Sequence, residues 1–108
     1  MNVFHLLHED VRNAISKRGI VQPTEIQEIC IPEIIRGKDR NILVIAPTGI
    51  GKTEAVILPI FTHIKRNKNA RISVLYITPL RALNRDMLKR TMELGEELNI
   101  RIAVRHGD

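Results

Sequence analysis

Cysteine is nearly absent from this chain. Cys30 stands alone, which excludes an intramolecular disulfide and any cysteine-cluster zinc site and suits a reducing compartment. Aromatic residues are almost as scarce: Phe4, Phe61 and Tyr76, with no tryptophan, argue against a surface that grips nucleic acid mainly by stacking bases on rings. No apolar stretch approaches the roughly 20 residues of a membrane span. The longest, Ile42 to Pro47, is far shorter, and the opening Met1-Asn2-Val3-Phe4-His5 has no basic segment followed by an apolar one. A cytoplasmic protein with no membrane partner is the expectation.

What the chain does have is enough apolar matter to fold. Its 108 residues are 44% hydrophobic, a length that suits one domain, and 17 Lys and Arg against 12 Asp and Glu leave a formal charge of +5. That mild excess permits phosphate-directed binding without demanding it. Phe4, Leu7, Val11 and Ile15 recur at helical spacing over residues 2–18, and Gly19 follows as a stop. A second helix is expected from Pro23-Thr24 to Gly37, with Ile26, Ile29, Cys30 and Ile34 as its stripe and Pro32 as a kink or break. Asn41 to Ala46 is a β-branched apolar run that reads as a strand buried on both faces. A helix over about 52–67, with Val56, Phe61 and Ile64 inward and a kink at Pro59, leads to a strand over 72–78. A further helix over 80–99 and a strand over 100–104 follow. The alternation after residue 40 implies parallel strands joined by helical crossovers, hence an α/β fold.

The chemistry concentrates between the first strand and the helix after it, in Ala46-Pro47-Thr48-Gly49-Ile50-Gly51-Lys52-Thr53. Gly49 and Gly51 allow backbone N–H groups to turn towards phosphate oxygens, and the following helix adds its free N–H groups and the positive end of its dipole. Lys52 would reach the β- and γ-phosphates, and the Thr53 hydroxyl would complete a Mg2+ shell. The pattern departs from G-x-x-x-x-G-K-[ST] only at its first position, where Ala46 stands.

Upstream lies Gly19-Ile20-Val21-Gln22-Pro23-Thr24-Glu25-Ile26-Gln27, and downstream Thr78-Pro79-Leu80-Arg81-Ala82-Leu83. Taken in order, these three segments resemble the Q motif, motif I and motif Ia of superfamily 2 helicases of the DEAD/DEAH type. Lys52-Thr53-Glu54-Ala55, Leu58-Pro59-Ile60 and Arg105-His106-Gly107-Asp108 look most like the large-helicase-related branch. The resemblance implies a P-loop, RecA-like fold, here an incomplete three-stranded parallel sheet with flanking helices and two N-terminal helices. Residues 1–108 would be the N-terminal part of a helicase ATP-binding domain. It implies an ATP and Mg2+ site made by Gln27, Pro47, Thr48, Gly49, Ile50, Gly51, Lys52, Thr53 and Glu54, with Lys52 and Thr53 the catalytic pair. It also implies a DNA or RNA backbone site at Pro79, Leu80 and Arg81. A glutamine amide has a donor and an acceptor side, so Gln27 suits adenine N6 and N7; the alternative is an ordinary glutamine on an amphipathic helix. Phe4 either stacks on the adenine or belongs to the apolar stripe.

Other features have plainer readings. His5 and His8 lack an evident third metal ligand, Cys30, Met87 and Met92 read as packing, and Lys65 to Arg71 as a basic connection. Arg85, Lys89 and Arg90 interleave with Asp86, Glu93, Glu96 and Glu97 as a solvated face. No Asp-Glu-Ala-Asp or Asp-Glu-x-His element occurs, so the water-activating carboxylates of the family's ATPase are missing from this sequence. The expectation is a helicase fragment with exposed sheet edges that associates with itself or with a chain supplying the missing motifs. The rivals are an adenine-nucleotide and nucleic-acid binding module without turnover, and an inactive remnant. A small P-loop kinase would leave Gln27 and residues 78–83 unexplained.

Overall fold

The computed structural model describes residues 2–37, 41–45, 51–67, 74–77 and 85–105. Among these described residues a 3-10 turn at Val3–Leu6 precedes four helices, α1 (Glu9–Lys17), α2 (Glu25–Arg36), α3 (Lys52–Arg66) and α4 (Arg85–Glu97). The expected first helix over 2–18 is therefore two pieces. The break lies at His8, whose backbone N–H is taken by the Thr62 hydroxyl at 3.1 Å while its ring Nδ1 accepts from the Asp10 N–H at 3.0 Å. His8 thus serves as the N-cap of α1 and leaves the helix to do so. The apolar stripe survives the break, since Phe4, Leu7, Val11 and Ile15 are all buried.

Helix ends follow local chemistry. Thr24 caps α2 through a reciprocal box with Gln27. At the end of α1, Gly19 has φ +77, its N–H reaches the Ser16 carbonyl and the Ile20 N–H reaches that of Ile15. The end of α4 repeats this arrangement with Asn99 at φ 59, Asn99 N–H to Glu96 and Ile100 N–H to Gly95. Both are Schellman closures, which satisfy carbonyls that a helix end would leave open. Pro32 and Pro59 lie inside α2 and α3, and each helix runs on past its proline. A proline interior to a helix costs about 3 kcal/mol. Burial offsets that cost here: Pro59 is fully buried, and Ile31 beside Pro32 is sealed in the core.

α3 is the centre of the molecule. Ala55, Ile57, Leu58, Pro59, Phe61 and Thr62 are buried along it, so it is covered on most of its circumference rather than on one stripe. Val56 and Ile64, expected inward, are only half-buried, whereas Phe61 is buried as expected. α2 makes the broadest contact with α3 and also covers the 3-10 turn, while α1 and α4 touch α3 elsewhere. Lys65 fastens three elements together, donating to the Leu98 carbonyl at 3.0 Å and pairing with Asp10 at 3.2 Å. Glu97 at the end of α4 pairs with Arg18 at 2.7 Å and Lys17 at 3.7 Å. The Arg18 hydrogen bond, followed by the charges of Arg18 and Lys17, holds the Glu97 carboxyl below its usual range.

The strands expected over 41–46, 72–78 and 100–104 are not formed among the described residues, and no parallel sheet is present there. A strand needs a neighbour for its ladder and cover for its side chains. Residues 41–45 and 74–77 have no such cover: Leu43, Ile45, Leu75 and Ile77 are 85%, 84%, 80% and 84% exposed. Of residues 100–105 only Ile100 and Ile102 pack against the core, Ile102 lying close over Gly95, while Arg101, Ala103, Val104 and Arg105 are exposed. No helix among the described residues is long and apolar enough to cross a membrane.

Candidate functional site

Gly51 is the N-cap of α3, with φ 76 and ψ 24 and no side-chain capping bond. Left-handed backbone of this kind favours glycine. A second constraint acts at the same position, because a Cβ there would stand 2.6 Å from Gln27 Nε2 and 3.1 Å from Thr24 Oγ1. The Q-like segment and the loop glycine are in direct contact. Gln27, only 4% exposed, donates from Nε2 to the Gly51 carbonyl at 3.3 Å. Its Oε1 accepts from the Thr24 N–H at 3.0 Å, and the Thr24 hydroxyl accepts from the Gln27 N–H at 3.3 Å. The capping box thus fixes the side chain that reaches the loop. Each end of the amide spends one of its two bonds on the chain and keeps one.

Lys52 and Thr53 occupy the first turn of α3, both half-buried. The N-terminal N–H groups of that turn have no side-chain cap, which leaves an anion-attracting helix end. The Thr53 hydroxyl donates to Met87 Sδ at 2.7 Å, and Glu54 pairs with Arg90 across 3.9 Å. Both contacts tie the start of α3 to α4. Pro47, Thr48, Gly49 and Ile50 of the loop, and Pro79, Leu80 and Arg81 of the motif Ia-like segment, lie outside the described residues. α4 begins at Arg85, soon after them in sequence.

The plainer readings can be placed as well. Phe4 is buried in the core cluster with Leu7, Ile31 and Phe61, away from any stacking role. Cys30 is buried, and burial pushes its thiol pKa up. No group of three or more metal-ligating side chains occurs among the described residues, and His8 is engaged as a helix cap. Arg85, Asp86, Lys89, Arg90, Glu93, Glu96 and Glu97 are exposed along α4. What the sequence did not signal is the use of Met87. Thr24 carries a recognisable signal, a threonine three residues before a glutamine. Met87 carries none, since its partner is 34 residues away.

Comparison with known proteins shows the family. Residues 24–108 match the DEAD/DEAH box helicase family. The ATP-dependent RNA helicase SrmB of Escherichia coli is 35% identical over 100 residues, covering 90% of this chain and 22% of that protein. The DEAD-box ATP-dependent RNA helicase RhpA of Helicobacter pylori is 34% identical over 101 residues, covering 94% of this chain and 20% of that protein. The putative DEAD-box ATP-dependent RNA helicase 29 of Arabidopsis thaliana is 35% identical over 99 residues, 91% of this chain and 12% of its own length. The chain thus spans about a fifth or less of each. None of these three bears the name of the large-helicase-related branch, to which the sequence details pointed. No solved structure matches with significance. The family implies a RecA-like P-loop fold, and with the match covering most of its length, the chain belongs to the DEAD/DEAH box helicases.

Proposed function

We propose that this chain is a nucleotide-binding part of an ATP-dependent RNA helicase. ATP binds through Pro47, Thr48, Gly49, Ile50, Gly51, Lys52 and Thr53 with Gln27 reading adenine, and RNA backbone binds at Pro79, Leu80 and Arg81. RNA is preferred to DNA because SrmB and RhpA are named as RNA helicases. The observation that carries the reading is the contact of Gln27 and Thr24 with Gly51, at the uncapped start of the helix that carries Lys52 and Thr53. It brings a base-reading amide to a phosphate-attracting helix end. Mg2+ would be held by the Thr53 hydroxyl, whose hydrogen is already donated elsewhere, leaving lone pairs for a hard cation. The metal would neutralise charge on the β- and γ-phosphates. Lys52 supplies a point charge to the same oxygens, and Glu54 holds Arg90 beside the site.

Turnover requires carboxylates that orient water and a cation opposite the transferring group. This sequence has no Asp-Glu-Ala-Asp element. On this reading the chain by itself binds ATP without hydrolysing it. Titration of a fluorescent ATP analogue with Mg2+ tests the reading. Binding should weaken about tenfold or more in Lys52→Ala, the worth of a lost charge-assisted contact. Equal binding by both proteins, or none by the wild type, counts against it. DNA and RNA oligonucleotides of one sequence, compared at fixed salt, decide the strand type.

A second reading concerns the sheet. The exposure of Leu43, Ile45, Leu75 and Ile77 favours parallel strands over 41–46 and 72–78 that form once a neighbouring strand is supplied, by another copy or by a chain carrying the missing motifs.

A further inference from the structure

The Thr53 hydroxyl has a partner on α4 that the phosphate-loop pattern does not call for. It donates to the Met87 thioether at 2.7 Å. A hydroxyl carries one hydrogen and two lone pairs. With the hydrogen directed at sulfur, only acceptor character remains for a cation, and an oxygen ligand of Mg2+ must present a lone pair rather than a proton. We infer that Met87 is a positioning residue for magnesium: its sulfur fixes the rotation of the Thr53 hydroxyl so that a lone pair faces the metal of the bound nucleotide. This rests on Thr53 being the Mg2+ ligand, as proposed above.

Two features extend the argument. Sulfur is a weak, soft acceptor, so it orients the hydroxyl without competing for a hard cation as a carboxylate would. The contact also has a companion, since Glu54, the next residue of α3, pairs with Arg90, three residues beyond Met87. Positions three apart share a helix face, so adjacent side chains at the start of α3 engage one face of α4. α4 follows Arg81 in sequence. Magnesium held by Thr53 is thereby coupled to the helix next to the proposed RNA contact, through a contact formed by a methionine that would otherwise pass as packing.

The test separates metal from nucleotide. Affinity for a fluorescent ATP analogue is measured with Mg2+ and in EDTA for wild type, Lys52→Ala, Met87→Leu, Met87→Gln and Met92→Leu, with a circular dichroism melt to check folding. Leucine keeps the packing and removes the acceptor; glutamine restores an acceptor. Losing the partner that orients a metal ligand costs 10–100-fold in metal affinity, and a thioether belongs at the lower end, about tenfold. Met87→Leu should therefore lose most of the Mg2+-dependent gain with its EDTA affinity unchanged, Met87→Gln should recover it, and Met92→Leu should match wild type. Equal weakening with and without Mg2+ assigns Met87 to packing and overturns the inference. So does an unchanged magnesium gain in Met87→Leu, even where Lys52→Ala abolishes binding and the nucleotide reading stands. A folded wild type that binds no nucleotide overturns both.

Discussion

The Gln27 side-chain amide donates to the Gly51 carbonyl at 3.3 Å, joining residues 24 apart in sequence. One side chain therefore does two jobs. Its oxygen completes the cap of α2, and its nitrogen holds the turn that opens α3. The start of one helix is read by the start of the other, so a change in the loop conformation at Gly51 is felt at the cap of α2.

Gly51→Ala should be more damaging than Gly19→Ala for this reason. Both glycines have positive φ, +76 and +77, and alanine at such a position is strained by about 1 kcal/mol or more. Only Gly51 adds a collision, since nothing lies within 4 Å of a Cβ at Gly19. The expected result is a clearly larger drop in melting temperature for Gly51→Ala, measured by circular dichroism, with part of the difference relieved in a Gly51→Ala/Gln27→Ala double variant. Equal losses at the two glycines would mean that the Gln27 contact carries no weight.

Much of the helical part was legible because its signals are local. Gly19 and the Pro23-Thr24 step mark real boundaries, and Phe4, Leu7, Val11 and Ile15 are buried as their spacing implies. The break at His8 was not legible, because it depends on Thr62, 54 residues away. The same holds for Thr53 and Met87. A single inward stripe failed for α3 because that helix is enclosed by several elements, which buries Ala55 and Thr62 as well as Phe61. The expected strands are not seen among the described residues, for a different reason. β-propensity expresses fit to a covered, pleated surface, and Leu43 and Ile45 have no such surface around them. Gln27 and Gly51, which the sequence marks separately, are joined by a hydrogen bond across 24 residues.

Leu58→Ala should cost about 2–5 kcal/mol, the range for truncating a leucine in a packed interior. Leu58 is completely buried on α3, within a cluster that includes Phe4, Leu7 and Phe61. Chemical denaturation should show the midpoint moving to lower denaturant. A loss below 1 kcal/mol would place Leu58 in a loose environment rather than a core.

Glu97 should make stability depend on acid. Its carboxyl pKa is lowered, first by the Arg18 hydrogen bond and then by the charges of Arg18 and Lys17. A lowered folded-state pKa means stabilisation that is fully present above the unfolded value, about 4.3 for glutamate. It is lost as pH falls through the folded value. Glu97→Gln should therefore melt lower than wild type at neutral pH, with the gap closing as the buffer is taken below about pH 4. Added salt should narrow the gap at neutral pH, because the pair is solvent-accessible. A gap that is constant with pH would assign the effect to something other than the ionised carboxylate.

The exposed apolar side chains over 41–45 and 74–77 set up the last expectation. Leu43 and Ile45 lie two apart, as do Leu75 and Ile77, and in a paired strand each couple would share a face. Each of these side chains leaves about 80% or more of its surface in water, far from the half-covered state of an ordinary surface leucine. Association that covers them recovers on the order of 25 cal/mol per Å² of apolar surface. Light scattering should give a mass above the 12.3 kDa of one chain, increasing with concentration. Leu43→Lys and Leu75→Lys should shift it back towards that value without lowering the melting temperature of the helical core, because a charge at these positions opposes pairing and touches nothing buried. A wild-type mass of one chain throughout the micromolar range would show that these segments stay in water, and would remove self-association as the source of the missing sheet neighbour.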